Sequence, residues 1–217
     1  MLDSLVRPVI DPPLNRAGAI IARLGVTANA ISISGAITGV AAAAAIACGG
    51  FGSGLGLVLL SRLLDGLDGA VARSTHPTDF GGYLDILCDY IFYSAIPLGF
   101  GLADPANLLP SSLLLTSFIL SGTSFLAYAT LAEKRGLKTS AQGAKSFYYM
   151  AGLAEGTETI AIFVLACIEP EWFPVIAYIF SALCVATMIG RLLRAREQFS
   201  DAVSARTDAA VTPDSVR

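Results

Sequence analysis

Histidine and cysteine, the side chains that build most metal and nucleophilic sites, are almost missing from this sequence. His76 is the one histidine, and Cys48, Cys88, Cys167 and Cys184 fall singly within apolar runs. With no CxxC or comparable ligand spacing, a zinc centre is excluded and the cysteines read as small packing residues. Charge is scarce as well. Only 14% of the 217 residues are charged against 54% hydrophobic, with a mean hydropathy of +0.67, which is not the balance of a soluble domain. The N-terminus, MLDSLVRPVIDPPLNRAG, lacks the short apolar core and small-residue cleavage site of a signal peptide, so no processing is expected. Nor does any repeat of 20–50 residues occur, and the spans leave no room for a separate soluble domain or a nucleic-acid surface.

What the sequence does have is a succession of apolar stretches near the ~20 residues that cross a bilayer as a helix. They predict an all-α integral membrane protein with six transmembrane helices, at 28–49, 53–73, 79–103, 108–132, 145–168 and 172–191. Residues 14–25, LNRAGAIIARLG, set Arg16 and Arg23 against Leu14, Ala17, Ile20, Ile21 and Leu24, the pattern of an interfacial amphipathic helix whose start is set by Pro12 and Pro13. The chain therefore divides into an N-terminal segment at 1–27, a six-helix domain at 28–195 and a disordered cytoplasmic tail at 196–217. The run AAAAAIA at 41–47 reads as helix-packing material.

Orientation follows from lysine and arginine. With the N-terminus inside, Arg7, Arg16, Arg23, Arg73, Lys134, Arg135, Lys138, Lys145, Arg191, Arg194 and Arg196 share one side, whereas the opposite loops carry Asp104, Glu169 and Glu171. That sorting predicts cytoplasmic termini in an inner or cytoplasmic membrane.

The stretch DGLDGAVARSTHPTDFGGYLDILCD, residues 65–89, places Asp65, Asp68, Asp85 and Asp89 inside otherwise apolar sequence. A charged side chain at mid-bilayer costs about 3 kcal/mol on insertion scales, whereas a leucine returns about 0.5. Asp65 and Asp68 are three apart and Asp85 and Asp89 four apart, so each pair projects from one helical face. Spans two and three are antiparallel neighbours, which brings the pairs to similar depth. Four carboxylates crowded there either change their protonation or take a cation between them; a divalent metal is the economical answer, and hard oxygen donors suit Mg²⁺ or Mn²⁺, two of which can clamp a diphosphate. Gly66 and Gly69 leave the helix surface bare, and Arg73 lies within reach of a phosphate oxygen.

The pattern Asp65-x2-Asp68-Gly69-x2-Ala72-Arg73, then Gly81-x3-Asp85-x3-Asp89, resembles the signature of the CDP-alcohol phosphotransferases, also called CDP-alcohol phosphatidyltransferases. The six-span layout, the N-terminal helix and the Thr27-Ala28-Asn29 opening of span one resemble that family too, over most of residues 10–195. Seven residues, Ser74 to Phe80, separate Arg73 from Gly81 where the family usually has eight. The resemblance implies that Asp65, Asp68 and Asp85 hold the metals, with Asp89 partly a ligand and mainly the base that deprotonates the acceptor hydroxyl. It implies that Gly69, Ala72, Arg73 and Gly81 carry the CDP moiety, and that the chain is a homodimer. The implied reaction moves a phosphatidyl group from CDP-diacylglycerol to a small alcohol and releases CMP, at a site near the cytoplasmic face.

Glycerol 3-phosphate is the first expectation for the acceptor, inositol phosphate the second, with serine open. Lys134, Arg135, Lys138 and Lys145 set topology and offer cations to a phosphorylated acceptor. Arg62 is expected to pair with Glu155 and Glu158, His76 to be a solvated loop residue, and Tyr90, Phe92, Tyr93, Phe147, Tyr148 and Tyr149 to pack against core or lipid. Intramembrane carboxylates also serve cation or proton transporters, the alternative reading, and a catalytically silent membrane scaffold is a third.

Overall fold

The computed structural model describes residues 3–135 and 156–210. Among these, seven α-helices and two single 3₁₀ turns account for the architecture, and no strand occurs. The helices are α1 (Asp3–Arg23), α2 (Ala28–Ala47), α3 (Phe51–Ser74), α4 (Asp79–Ala103), α5 (Leu108–Lys134), α6 (Gly156–Ile168) and α7 (Phe173–Ala210), with 3₁₀ turns at Pro105–Asn107 and Pro170–Trp172.

Side chains close two of the helix starts and one 3₁₀ turn. Thr27 and Thr78 cap α2 and α4 by accepting from the amides of Ala30 and Gly81, and Asp104 accepts from Ala106 at the turn before α5. Gly25 and Gly49 take positive φ, of 80° and 78°, to turn the chain after α1 and α2.

Four stretches are long and apolar enough to cross a membrane: Ala28–Ala47, Asp79–Ala103, Pro105–Lys134 and Pro170–Phe199. They coincide with the first, third, fourth and sixth predicted spans. The second prediction falls on α3, whose 24 residues are long enough but include Arg62, Asp65, Asp68 and Arg73. Of the fifth, residues 145–155 lie outside the described residues, and the 13 that remain as α6 rise ~20 Å against a ~30 Å hydrocarbon core.

Two boundaries differ from expectation. Pro12 and Pro13 do not start α1, which begins nine residues earlier and runs through both, as well as through Pro8. Each of the three prolines withholds an intrahelical donor from the carbonyl one turn before it. At the other end, the helical pattern of RLLRAREQF was expected to give way at Ser200, but α7 continues to Ala210. Neither glycine nor proline occurs from Arg191 to Thr212, so helix propensity carries the helix on without apolar periodicity.

The core is aromatic and small-residue in alternation. Phe92, Phe100, Phe163 and Phe173 are fully buried, with Phe100 stacked on Phe173 at 4.3 Å between centroids. α2 packs on both α3 and α4, α1 on α3, and α5 on α7. The alanine run supplies the close approaches: Ala42, Ala43 and Ile46 are buried, and a Cβ on Gly99 of α4 would stand 2.6 Å from the Ala43 carbonyl oxygen.

Candidate active site

The turn Thr75–Thr78 joins α3 to α4 and folds their motif segments side by side. It also absorbs the short spacer, since Ser74 ends α3 and Asp79 and Phe80 begin α4. One carboxylate oxygen from each of Asp65, Asp68 and Asp85 comes within 4.8 Å of the other two. Asp68 is buried at 5% exposure, and its Oδ2 has no hydrogen-bond partner among the described residues. A buried carboxylate oxygen without a donor, facing two more carboxylates, is a costly arrangement that a cation resolves. The group is all oxygen, so it fits a hard divalent ion such as Mg²⁺ or Mn²⁺.

Asp89 is not one of those three. It lies one helical turn beyond Asp85, and its Oδ1 accepts from Arg62 Nη1 at 2.7 Å, while the same nitrogen is 3.4 Å from Asp65 Oδ1. The Arg62 guanidinium sits 3.7 Å from the Phe92 ring centroid, a cation–π contact. Arg62 was expected to pair with Glu155 and Glu158; it pairs instead with Asp89 and Asp65. Helical spacing explains the correction, because position 62 is one turn from Asp65 on the same face and α4 runs alongside it. Glu155 lies outside the described residues.

Nearer the turn, Arg73 is exposed and donates from Nε and Nη2 to Asn15 Oδ1 of α1, at 3.2 and 2.9 Å. A Cβ on Gly69 would meet Arg73 Nη1 at 3.2 Å, so the guanidinium lies over the bare helix surface that Gly69 leaves. Ala72 is half-buried beside it. The Gly81 amide donates to Thr78 Oγ1, and a Cβ on Gly81 would stand 3.3 Å from Asn29 Oδ1 at the start of α2. α1 covers the other side of the motif, with Gly18 against Ala70 and Leu14 against Gly66. Asn15 is the site neighbour that sequence reasoning missed. Its signal was weak: an uncharged polar residue next to Arg16, between Leu14 and Gly18, which pack on α3.

The remaining candidates spread outward. His76 is exposed in the turn. Phe92 is core, and Tyr90 presses its hydroxyl on Gly122 of α5. Arg191 of α7 donates to the Ser121 carbonyl at 3.0 Å, next to that contact. Arg135 is tied to α7, donating to the Phe199 carbonyl at 3.0 Å and lying 4.8 Å from its ring. Lys138, Lys145, Phe147, Tyr148 and Tyr149 lie outside the described residues.

Comparison with known proteins places this geometry in context. A family model described as CDP-alcohol phosphatidyltransferase matches residues 25–189. The inner membrane protein YnjF of Escherichia coli (strain K12) is 46% identical over 193 residues, covering 88% of this chain and 94% of that protein. The archaetidylinositol phosphate synthase of Methanothermobacter thermautotrophicus is 30% identical over 195 residues, covering 87% and 89%. Among solved structures, the phosphatidylinositol phosphate synthase of Mycobacterium tuberculosis with CDP-DAG bound superposes with a TM-score of 0.66 at 24% identity, covering 86% of this chain and 94% of that one. The same synthase in complex with manganese and citrate gives 0.64 at 24% identity, covering 86% and 88%.

Proposed function

Because the chain belongs to the CDP-alcohol phosphatidyltransferase family, we propose that it transfers a phosphatidyl group from CDP-diacylglycerol to an inositol phosphate and releases CMP. It is an integral membrane transferase of phospholipid biosynthesis. The choice of acceptor departs from glycerol 3-phosphate, which the sequence put first. What supports it is the relative at 30% identity, which is named an archaetidylinositol phosphate synthase. Arg191 of α7, which donates to Ser121 beside the contact of Tyr90 with Gly122, adds a cation on the α5 side of α4.

The observation that carries the reaction is the convergence of Asp65, Asp68 and Asp85, with the buried Asp68 Oδ2 lacking a donor. These three hold the metal in this reading, with Asp89 mainly the base. A divalent ion bound there supplies charge neutralisation for the diphosphate and for the leaving phosphate. Gly69, Ala72, Arg73 and Gly81 seat the cytidine diphosphate, with the exposed guanidinium of Arg73 as its phosphate partner. Asp89 takes the proton of the acceptor hydroxyl, whose oxygen bonds to the β-phosphorus as the bond to CMP breaks. The aspartate returns the proton to solvent.

Six spans, cytoplasmic termini, a site near the cytoplasmic face and a homodimer complete the proposal. The alternation of charge supports the orientation: Arg73, Lys134 and Arg191 lie toward the motif end of their helices, and Asp104, Glu169 and Glu171 lie in the turns at the other end.

The test is CMP release by the purified protein with CDP-diacylglycerol and Mg²⁺, offering inositol 1-phosphate, glycerol 3-phosphate, myo-inositol and serine separately. Release stimulated by inositol phosphate, abolished by chelation and restored by Mg²⁺ or Mn²⁺, is the expected result. Stimulation by another alcohol reassigns the acceptor. A cation carrier would release no CMP at all.

A further inference from the structure

Four carboxylates stand at this site, and the fold does not treat them alike. Asp65, Asp68 and Asp85 converge, whereas Asp89 accepts a hydrogen bond through Oδ1 from Arg62, whose Nη1 lies farther, at 3.4 Å, from Asp65. The arginine is itself held in a socket. Its side chain is 8% exposed, Nη2 donates to Ser61 Oγ at 3.2 Å, and that hydroxyl donates to the Gly35 carbonyl at 2.8 Å. Phe92, fully buried, lies under the guanidinium, and Gly39 leaves room for both: a Cβ there would meet Phe92 Cδ2 at 2.8 Å and Ser61 Oγ at 3.2 Å. α2, α3 and α4 thus all contribute to fixing one cation between two carboxylates, with its short contact, 2.7 Å, to Asp89 and its long one, 3.4 Å, to Asp65. A planar guanidinium seated this way holds its partner's direction, which a mobile charge would not do.

We propose that Arg62 is a positioning residue that withholds Asp89 from the metal group, so that the tetrad works as three ligands and one carboxylate kept unligated for the acceptor hydroxyl. This rests on the transferase reading above. The chemistry requires such a division, because lone pairs committed to a divalent ion are poor proton acceptors, whereas a base needs one within hydrogen-bond reach of the hydroxyl. Asp89 is the carboxylate most exposed to capture, being one turn from Asp85 on the same helical face.

The experiment uses the full chain in detergent, with Mn²⁺ alone as probe, read by loss of the free-ion electron paramagnetic resonance signal, beside CMP release. In Arg62→Gln, Asp89 joins the metal group: Mn²⁺ binds about tenfold tighter, and kcat falls about 100-fold with KM changed by less than about twofold. Adding Asp89→Asn to that variant returns Mn²⁺ affinity to about the wild-type value. Arg62→Lys, which keeps the charge without the planar fork, restores affinity and only part of kcat. Tightening that persists in the double variant would come from loss of a positive charge alone and would overturn the proposal, as would unchanged or weaker binding in Arg62→Gln. Should Arg62→Gln not fold, single variants decide: Asp85→Asn loses Mn²⁺ affinity by more than about tenfold and Asp89→Asn by less than about twofold, and equal losses overturn it. Absence of CMP release with every acceptor would reject the transferase reading while the Mn²⁺ measurements still judge the role of Arg62.

Discussion

At the scale of single residues, burial separates two aspartates of the α3–α4 segment. Asp68 is 5% exposed with an oxygen lacking a donor, while Asp79, at the start of α4, is exposed and sits where a helix dipole favours an acid. Asp68→Asn is expected to lower CMP release by about 100-fold or more, a loss near 3 kcal/mol of transition-state stabilisation, and to weaken Mn²⁺ binding. Asp79→Asn should leave activity within about twofold, the effect of a few tenths of a kcal/mol at a helix end. Parallel assays of the two variants check this.

The elements show what glycine does here. A Cβ on Gly18 would come 2.7 Å from Ala70 Cβ and 2.8 Å from its carbonyl carbon, whereas one on Gly56 would meet nothing within 4 Å. Gly18→Ala should therefore push α1 off α3 and loosen the hydrogen bonds from Arg73 to Asn15. The expected outcome is a lower melting temperature and a KM for CDP-diacylglycerol raised about tenfold, with overpacking costing about 1–3 kcal/mol. Gly56→Ala should be neutral or slightly stabilising, since alanine suits a helix interior by up to about 1 kcal/mol. Thermal unfolding and substrate titration on both variants separate the two cases. The site is thus held from above by a helix that the sequence places only at the interface.

For the whole molecule, the arrangement predicts which surfaces face which compartment. Cys48 is exposed at the end of α2 away from the motif, and Cys88, Cys167 and Cys184 are buried. If the termini are cytoplasmic, a membrane-impermeant maleimide should label intact cells at Cys48. His76→Cys in a Cys48→Ser background should react only after permeabilisation. The reverse pattern would invert the topology.

The sequence by itself determined the membrane nature of the chain, most of its helices and the identity of the metal-ready acids. Length and apolarity decide insertion, and helical period decides that Asp65 and Asp68, or Asp85 and Asp89, share a face. It did not determine the start of α1 or the end of α7, where propensity and packing overrode the proline and apolar-period signals. Nor did it show that Asp89 pairs with Arg62, or that Asn15 holds Arg73. Those depend on how α1 and α4 are rotated and seated against α3. That rotation comes from packing between residues far apart in the chain, such as Gly39 against Phe92 and Gly18 against Ala70, which no periodicity within one helix encodes.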